Sequence, residues 1–490
     1  DLLPQAGDLL PQAGDLLPQA GLRKELKMVD LLIRGGLVLT LEPNTLQGPV
    51  YSDGAVAVEG NRIVAVGPTA EVEAAFPEAH EVIDARGRIV MPGFVCTHTH
   101  MPYVLGHNMP VDFSQLHSFW DMLQKMGWEW LEDLTTAQGV YAATRYAAAK
   151  MLKSGTTTVC ELVEAPIALG GSPSPLQSSA QAVEEIGIRA QIGFEVTERV
   201  LGVPILERLE RANAEKGFAE NLAFLEKHPP RNGSRVEGRL GVHTAFTNSY
   251  QTLRQAREVA DAFGCGIEIH VAEIPRVFLV EKFGKSAPEV LEETGLLGAD
   301  VIAAHCIDLT EGDLEILRRN GVNVAHTPMS NSLGGNGVAH IPRMLELGIN
   351  VTLGHDCFFT LDYSQYFRYM YLLHKAHNAN PMLILPFQAL DIATGNGARA
   401  MGLGDEIGSL KVGKKADLIV IRPDSPTPTT PESVLSFFTM TFEGRQVEHV
   451  IVDGQVVVKN GCLTAADEEE VRMACLEEAK ILWRKNGILI

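Results

Sequence analysis

An α/β fold organised around a closed barrel of eight strand–helix units is what this sequence predicts. Eight short apolar runs of strand length lie between residues 93 and 354, and amphipathic segments of helical period separate most of them. No Gly-rich phosphate loop follows an early strand, which counts against the rival open, doubly wound sheet. Eight such units in about 300 residues match the count of a TIM-type barrel.

The elements follow in chain order. Residues 1–21 are one unit, Asp-Leu-Leu-Pro-Gln-Ala-Gly, repeated three times without change. Pro and Gly in every copy would break a coiled coil at each turn, so 1–27 is set outside the fold as a tag or disordered extension, with Met28 as the natural-looking start. It lacks the basic and apolar regions of a secretory signal. Residues 31–41, 54–60, 62–67 and 81–91 are short β-type runs punctuated by Gly and Asn, and the same texture returns at 408–421 and 447–458. Neither block has enough strands to stand alone, so the two should pair into one small antiparallel domain. Between them the strand candidates are 93–96, 156–162, 189–196, 239–243, 266–271, 301–305, 322–326 and 350–354. The intervening helices are 137–152, 176–186, 217–227, 252–263, 284–294, 311–320 and 341–347. Residues 467–485 read as an amphipathic helix packed on the outside. The predicted domains are 28–92 with 402–465, a barrel over 93–401, and a closing helix over 466–490.

Composition narrows the function. With 41 Lys and Arg against 61 Asp and Glu the formal charge is −20, so phosphate backbones and anionic membrane surfaces are repelled. No apolar run approaches the roughly 20 residues of a membrane helix. Seven scattered cysteines, never in a CxxC pair, read as reduced thiols of a cytoplasmic protein.

Function in such a barrel sits at the C-terminal strand ends. The first run leads into Cys96-Thr97-His98-Thr99-His100, whose two imidazoles point the same way in an extended chain. Alone this signal is weak, because chance supplies roughly half such a pair in a chain with 15 His. Other ends carry ligand types too: His243, His270, His305 and Asp356. Converging imidazoles and carboxylates are costly to bury without a cation, and a metal supplies that compensation.

Taken together, 92–100 (Pro-Gly-Phe-Val-Cys-Thr-His-Thr-His), Ser154-Gly155-Thr156-Thr157-Thr158, His270-Val271-Ala272-Glu273, His305-Cys306, Ser330-Asn331 and His355-Asp356 resemble the amidohydrolase superfamily. Within it the chain is similar to the cytosine, S-adenosylhomocysteine and chlorotriazine deaminase/chlorohydrolase branch. Residues 194–199 and 242–247 further resemble the SsnA-like aminohydrolases. The likeness runs from Met28 to about Gly461. It implies a distorted TIM (β/α)8 barrel with a small β-sandwich domain built from both ends of the chain. It also implies one divalent metal ion per subunit, held by His98, His100, His270 and Asp356. Three neutral nitrogens and one carboxylate suit Zn²⁺ first and Fe²⁺ second, not Ca²⁺ or Mg²⁺. His243 stands where binuclear relatives place a carboxylated Lys or a Glu, which favours a single ion.

The resemblance makes Glu273 the proton shuttle and His305 its partner at the attacked centre, with Asp356 aiming the water and His243 binding substrate. His107, Glu161, Glu195 and Asn331, with Tyr103, are candidates for the pocket wall. The loop 101–130, with Phe113, Phe119, Trp120, Trp128 and Trp130, suits a lid over a flat nitrogen heterocycle; Trp128 and Trp130 could equally pack the following helix onto the barrel. His374 and His377 share a helical face away from any strand end and read as a decoy. Cys357 adjoins Asp356. Many relatives carry Arg-Gly near Gly106-His107 and Thr-Asp-Gly where this chain has His355-Asp356-Cys357, and the missing Arg points away from adenosine-type or anionic substrates.

The expected function is metal-dependent hydrolytic deamination of an aminated heterocycle. Cyclic amide hydrolysis or chlorohydrolysis on the same scaffold is the alternative, and a non-catalytic scaffold barrel the remote one. The expected partners are a small heterocyclic substrate and further copies of the chain, with no nucleic acid and no membrane.

Overall fold

A computed structural model describes residues 28–489 except 43–48, 113, 115, 166–173, 205–206 and 358. The threefold repeat within 1–27 and the ring of Phe113 thus lie outside the described residues.

Eight parallel strands form the centre: β1 (Phe94–Thr99), β2 (Thr156–Val163), β3 (Arg189–Val196), β4 (Leu240–Thr244), β5 (Ile267–Val271), β6 (Val301–His305), β7 (Asn323–His326) and β8 (Val351–Leu353). Each pairs with the next, and β8 pairs with β1 through Leu353 and Cys96, so the sheet closes into the expected barrel. Every residue of these strands is buried, which is why they read as near-continuous apolar runs rather than alternating ones. The β3–β4 seam needs glycine. A Cβ on Gly193 would stand 2.6 Å from the Gly241 nitrogen, and one on Gly241 would stand 2.6 Å from the Phe194 carbonyl.

The surrounding helices start where small polar residues cap them. Thr136, Ser174, Ser249 and Thr310 each accept a hydrogen bond from a first-turn N–H. The expected helix 284–294 is found as Ala287–Glu293, and a further helix that the sequence reading did not foresee, Arg276–Phe283, precedes it. Gly284 ends the first in the left-handed region (φ 70°), and Ser286 opens the second with a capping box to Glu289 and a Pro in its first turn.

Both ends of the chain meet in a second, nine-stranded sheet, where Ile89–Pro92 pairs antiparallel with Leu418–Ile421; the sheet is mixed and not antiparallel as expected, because Met28–Leu39 runs parallel to both Glu78–Asp84 and Ile89–Pro92. Side chains from its early strands (Leu31, Ile33, Val56, Ile63) and late ones (Leu418, Val420, Ile451) share one cluster, so the sheet folds over its own core. Its Asp453-Gly454 hairpin turn has both residues at positive φ, the conformation Asp-Gly favours. The sheet is bolted to the barrel by Arg189, at the start of β3, whose guanidinium donates to Asp417 at 2.6 and 2.9 Å and to Asp453 at 3.0 Å.

The helix Glu468–Lys485 lies outside, as its pattern predicts, and braces the loop after β1. Trp483 Nε1 donates to the Leu105 carbonyl and Asn486 to that of Trp130, both at 2.8 Å. No helix among the described residues is long and apolar enough to cross a membrane.

Candidate metal centre

Four strand ends bring five residues together. His98 and His100 leave β1, His270 ends β5, His305 ends β6, and Asp356 follows β8. The β1–β8 join sets the spacing, because the His98 carbonyl accepts from the amides of both His355 and Asp356 at 2.9 and 3.1 Å. The backbone bends sharply here: Ala272, His305, Cys306 and Asp356 all have φ between 50° and 72°. Four non-glycine residues in the left-handed region at one barrel mouth are strain that the surrounding fold imposes.

The rings are held from behind. His98 Nδ1 donates to Glu268 Oε1 at 2.8 Å, His100 Nδ1 to the Leu162 carbonyl at 2.8 Å, and His270 Nδ1 to the His243 carbonyl at 2.9 Å. Each bond fixes the tautomer and leaves Nε2 as a lone pair facing the centre. His98 Nε2 and His100 Nε2 each stand 3.5 Å from Asp356 Oδ1, while His100 Nε2 and His270 Nε2 stand 3.1 Å apart. His98 Nε2 and Asp356 Oδ2 are buried with no hydrogen-bond partner. Lone pairs packed this closely in a dry site repel unless a cation lies among them, and the donor set of imidazoles and one carboxylate suits Zn²⁺ or Fe²⁺. These four residues could hold such an ion.

Electrostatics agree. Burial disfavours a charged His98, yet the Asp356 and Glu268 carboxylates on either side of the ring outweigh it and raise its pKa to about 10, so that positive charge is favoured at its Nε2. Burial and the neighbouring His98 hold His100 down to about 4 and keep His270 well below the usual imidazole value. The cluster attracts one centre of positive charge.

Beside it, His305 Nδ1 is engaged by Asn331 Oδ1 and Thr327 Oγ1, both at 2.9 Å. Its Nε2 is left free, 3.9 Å from Glu273 Oε1. Burial raises the Glu273 carboxyl above its ordinary range, against the pull of His305. His243 Nδ1 lies 2.8 Å from Thr247 Oγ1 and 3.1 Å from Glu195 Oε1.

A cavity of about 50 Å³, partly open to solvent, opens over these groups. His100, His243, His270, Glu273 and Asp356 form its floor together with Glu164, and Phe119, Met122, Leu123, Met126, Trp128 and Leu333 form its walls. Trp128 therefore lines the cavity as well as packing, and Cys357 lines it beside Asp356. Part of the loop, Met122–Glu129, winds as a π-helix.

Several residues expected at the pocket wall stand elsewhere. The Glu161 carboxylate accepts from the Met101 amide at 3.0 and 3.1 Å and so ties down the turn after His100. Asn331 and Glu195 stand behind His305 and His243, and His107 is not among the residues lining the cavity. His374 Nε2 meets His326 Nε2 at 3.0 Å, so it touches the end of β7 and does not lie away from every strand end as expected.

Three acids escaped the sequence reading. Glu164 lines the cavity, 3.6 Å from His100 Nδ1. Glu132 lies behind it, bonded to the Tyr103 hydroxyl at 2.5 Å and Arg199 at 3.1 Å. Glu268, fully buried, holds His98 and accepts from the Cys160 thiol at 3.0 Å. For Glu268 a signal existed: a charge two residues before His270 in an otherwise apolar strand shares its face.

Comparison with known proteins agrees with this architecture. Residues 89–457 match the amidohydrolase family, and 54–79 match an imidazolonepropionase-like composite domain of bacteria. A 5′-deoxyadenosine deaminase of Methanosarcina acetivorans is 35% identical over 92% of this chain and 97% of its own. A 5-methylthioadenosine/S-adenosylhomocysteine deaminase of Desulforudis audaxviator is 33% identical over 90% of this chain and 96% of its own. Among solved structures, an adenosine deaminase from Xanthomonas campestris with bound zinc superposes with a TM-score of 0.81 at 25% identity, covering 93% of this chain and 99% of that one. A zinc-complexed atrazine chlorohydrolase from Arthrobacter aurescens, 21% identical, shares the fold with a TM-score of 0.79 over 92% of this chain and all of that one.

Proposed function

This chain belongs to the amidohydrolase family, and on that premise we propose that it is a metal-dependent hydrolase that deaminates an aminated nitrogen heterocycle of the adenosine type. The observation that carries the reading is the set of buried, unpartnered Nε2 and carboxylate atoms facing one another beside Glu273.

His98, His100, His270 and Asp356 would hold the ion. Bound there, it would supply Lewis acidity and make water acidic enough to ionise near a pH of about 7. The remaining steps belong to the side chains. Asp356 Oδ2 accepts a hydrogen bond from the attacking water and aims it. The Glu273 carboxylate takes one proton of that water and passes it to the ring nitrogen next to the attacked carbon, and the proton left on the added oxygen then moves through the same carboxylate to the amino group, which departs as ammonia. His305, its Nδ1 occupied by Asn331 and Thr327, turns Nε2 towards the attacked centre. His243 binds the heterocycle and Trp128 covers it. The balanced reaction exchanges C–NH₂ for C=O, consuming water and releasing ammonia.

The missing Arg near His107 pointed away from adenosine-type substrates, whereas relatives at 33–35% identity bear adenosine-type deaminase names. That weight favours the adenosine type. The domain division stated above, a cytoplasmic setting and association between copies of the chain belong to the same proposal; seven unpaired cysteines support the setting.

Ammonia release from purines, pyrimidines, pterins and triazines by the zinc-loaded protein tests the reading. Turnover of an adenosine-type member is expected. No turnover on any member would overturn it.

A further inference from the structure

The reacting carbon must lie over the metal centre, so the far end of a nucleoside runs outward along Phe119, Met122, Leu123, Met126 and Trp128, with Leu333 opposite. Among the described residues lining the cavity none is Lys or Arg, while Glu164, Glu273 and Asp356 are present, with Glu132 and Glu195 directly behind. The nearby Arg199 is spent: its guanidinium bonds Glu132 at 3.1 Å and Asp133 at 2.8 Å and lies 4.9 Å over the Trp128 ring. The two charges of a bound dication are already met by Asp356 and by Glu268 behind His98.

Resting on the deaminase reading above, we propose that this chain takes adenosine-type substrates whose 5′ end is uncharged and apolar, and turns away those carrying a carboxylate there. A methyl or methylthio group gains by leaving water for this wall of Met and aromatic side chains. A carboxylate would lose its hydration among apolar side chains and acids with no cation to receive it. The ammonium of an amino-acid tail would find a carboxyl here; its carboxylate would find nothing. Whether Glu164 and its neighbours are ionised or neutral, none offers positive charge.

The test compares kcat/KM for 5′-deoxyadenosine, 5′-methylthioadenosine and S-adenosylhomocysteine with the zinc-loaded full chain. The first two should agree within about tenfold and the third fall at least about a hundredfold lower, mostly through KM because the carboxylate lies away from the reacting atoms. S-adenosylhomocysteine within about tenfold of the methylthio compound overturns the proposal and leaves the deaminase reading intact; no ammonia from any of the three overturns both. Leu123 is half-buried, and Leu123→Lys places a cation in the wall. It should narrow the gap by about tenfold or more, again in KM, and a gap that does not narrow overturns the proposal as well.

Discussion

His100 and His270 face each other with their Nε2 atoms 3.1 Å apart, each with its Nδ1 hydrogen committed to a main-chain carbonyl. Neither ring can donate to the other, so the pair makes sense only around a shared cation. Adding Zn²⁺ should therefore raise the melting temperature, by the equivalent of about 2.7 kcal/mol once zinc stands a hundredfold above its Kd. Asp356→Asn should shrink that shift, and calorimetry with and without zinc reads it. An unchanged melting temperature in the wild-type chain would sink the ligand assignment.

Glu268 is not among the residues lining the cavity yet holds His98. Glu268→Gln keeps the shape but removes the carboxylate that fixes the ring and offsets the ion's charge. Metal affinity should fall by about 10–100-fold, measured by chelator competition, with the fold unchanged by circular dichroism.

Glu273→Gln should keep the metal and lose about 10²–10⁴ in turnover, since only proton transfer is removed. Metal analysis and ammonia release on the same preparation separate it from Asp356→Asn, which should weaken both. Normal turnover in the Gln variant would remove Glu273 from the proton path.

Acid stability should depend on the Arg189 bolt. Burial raises the Asp453 carboxyl, but Arg189 outweighs it and holds the pKa below its ordinary value. A depressed folded pKa contributes stability above the unfolded value and loses it as pH falls through the folded one. Asp453→Asn should therefore cost stability at neutral pH and flatten the loss in acid. Arg189→Met, which strands the buried Asp417, should cost about 3–5 kcal/mol, read by urea unfolding.

How much of this was legible before folding varies residue by residue. The barrel strands could be read because burial on both faces demands unbroken apolar runs, and the strand-end imidazoles and Asp356 because each ends such a run, although only the family resemblance chose four of them as ligands. Glu164 and Glu132 could not be: they lie 32 residues apart in number, and only the loop after β1 folding back across the end of β2 brings their carboxyls under one cavity. Glu161 looked like a pocket residue because it lies near a strand end, but its carboxylate reaches the Met101 amide instead. The helix Arg276–Phe283 before Gly284 went unforeseen, while the Gly, Ser and Pro within five residues mark where the expected one begins.

The order of apolar runs and terminal imidazoles along the chain was enough to name the barrel and its mouth, since those depend on local patterning, while the choice of four groups to grip an ion came from the family resemblance that the motifs carry. Which way each ring turns, which acids stand behind it, and whether any cation reaches the cavity depend on contacts between residues as far apart as His98 and Glu268, or Trp128 and Arg199. Those contacts exist only once the barrel has closed, and they, not the motif, set what charge the site will accept.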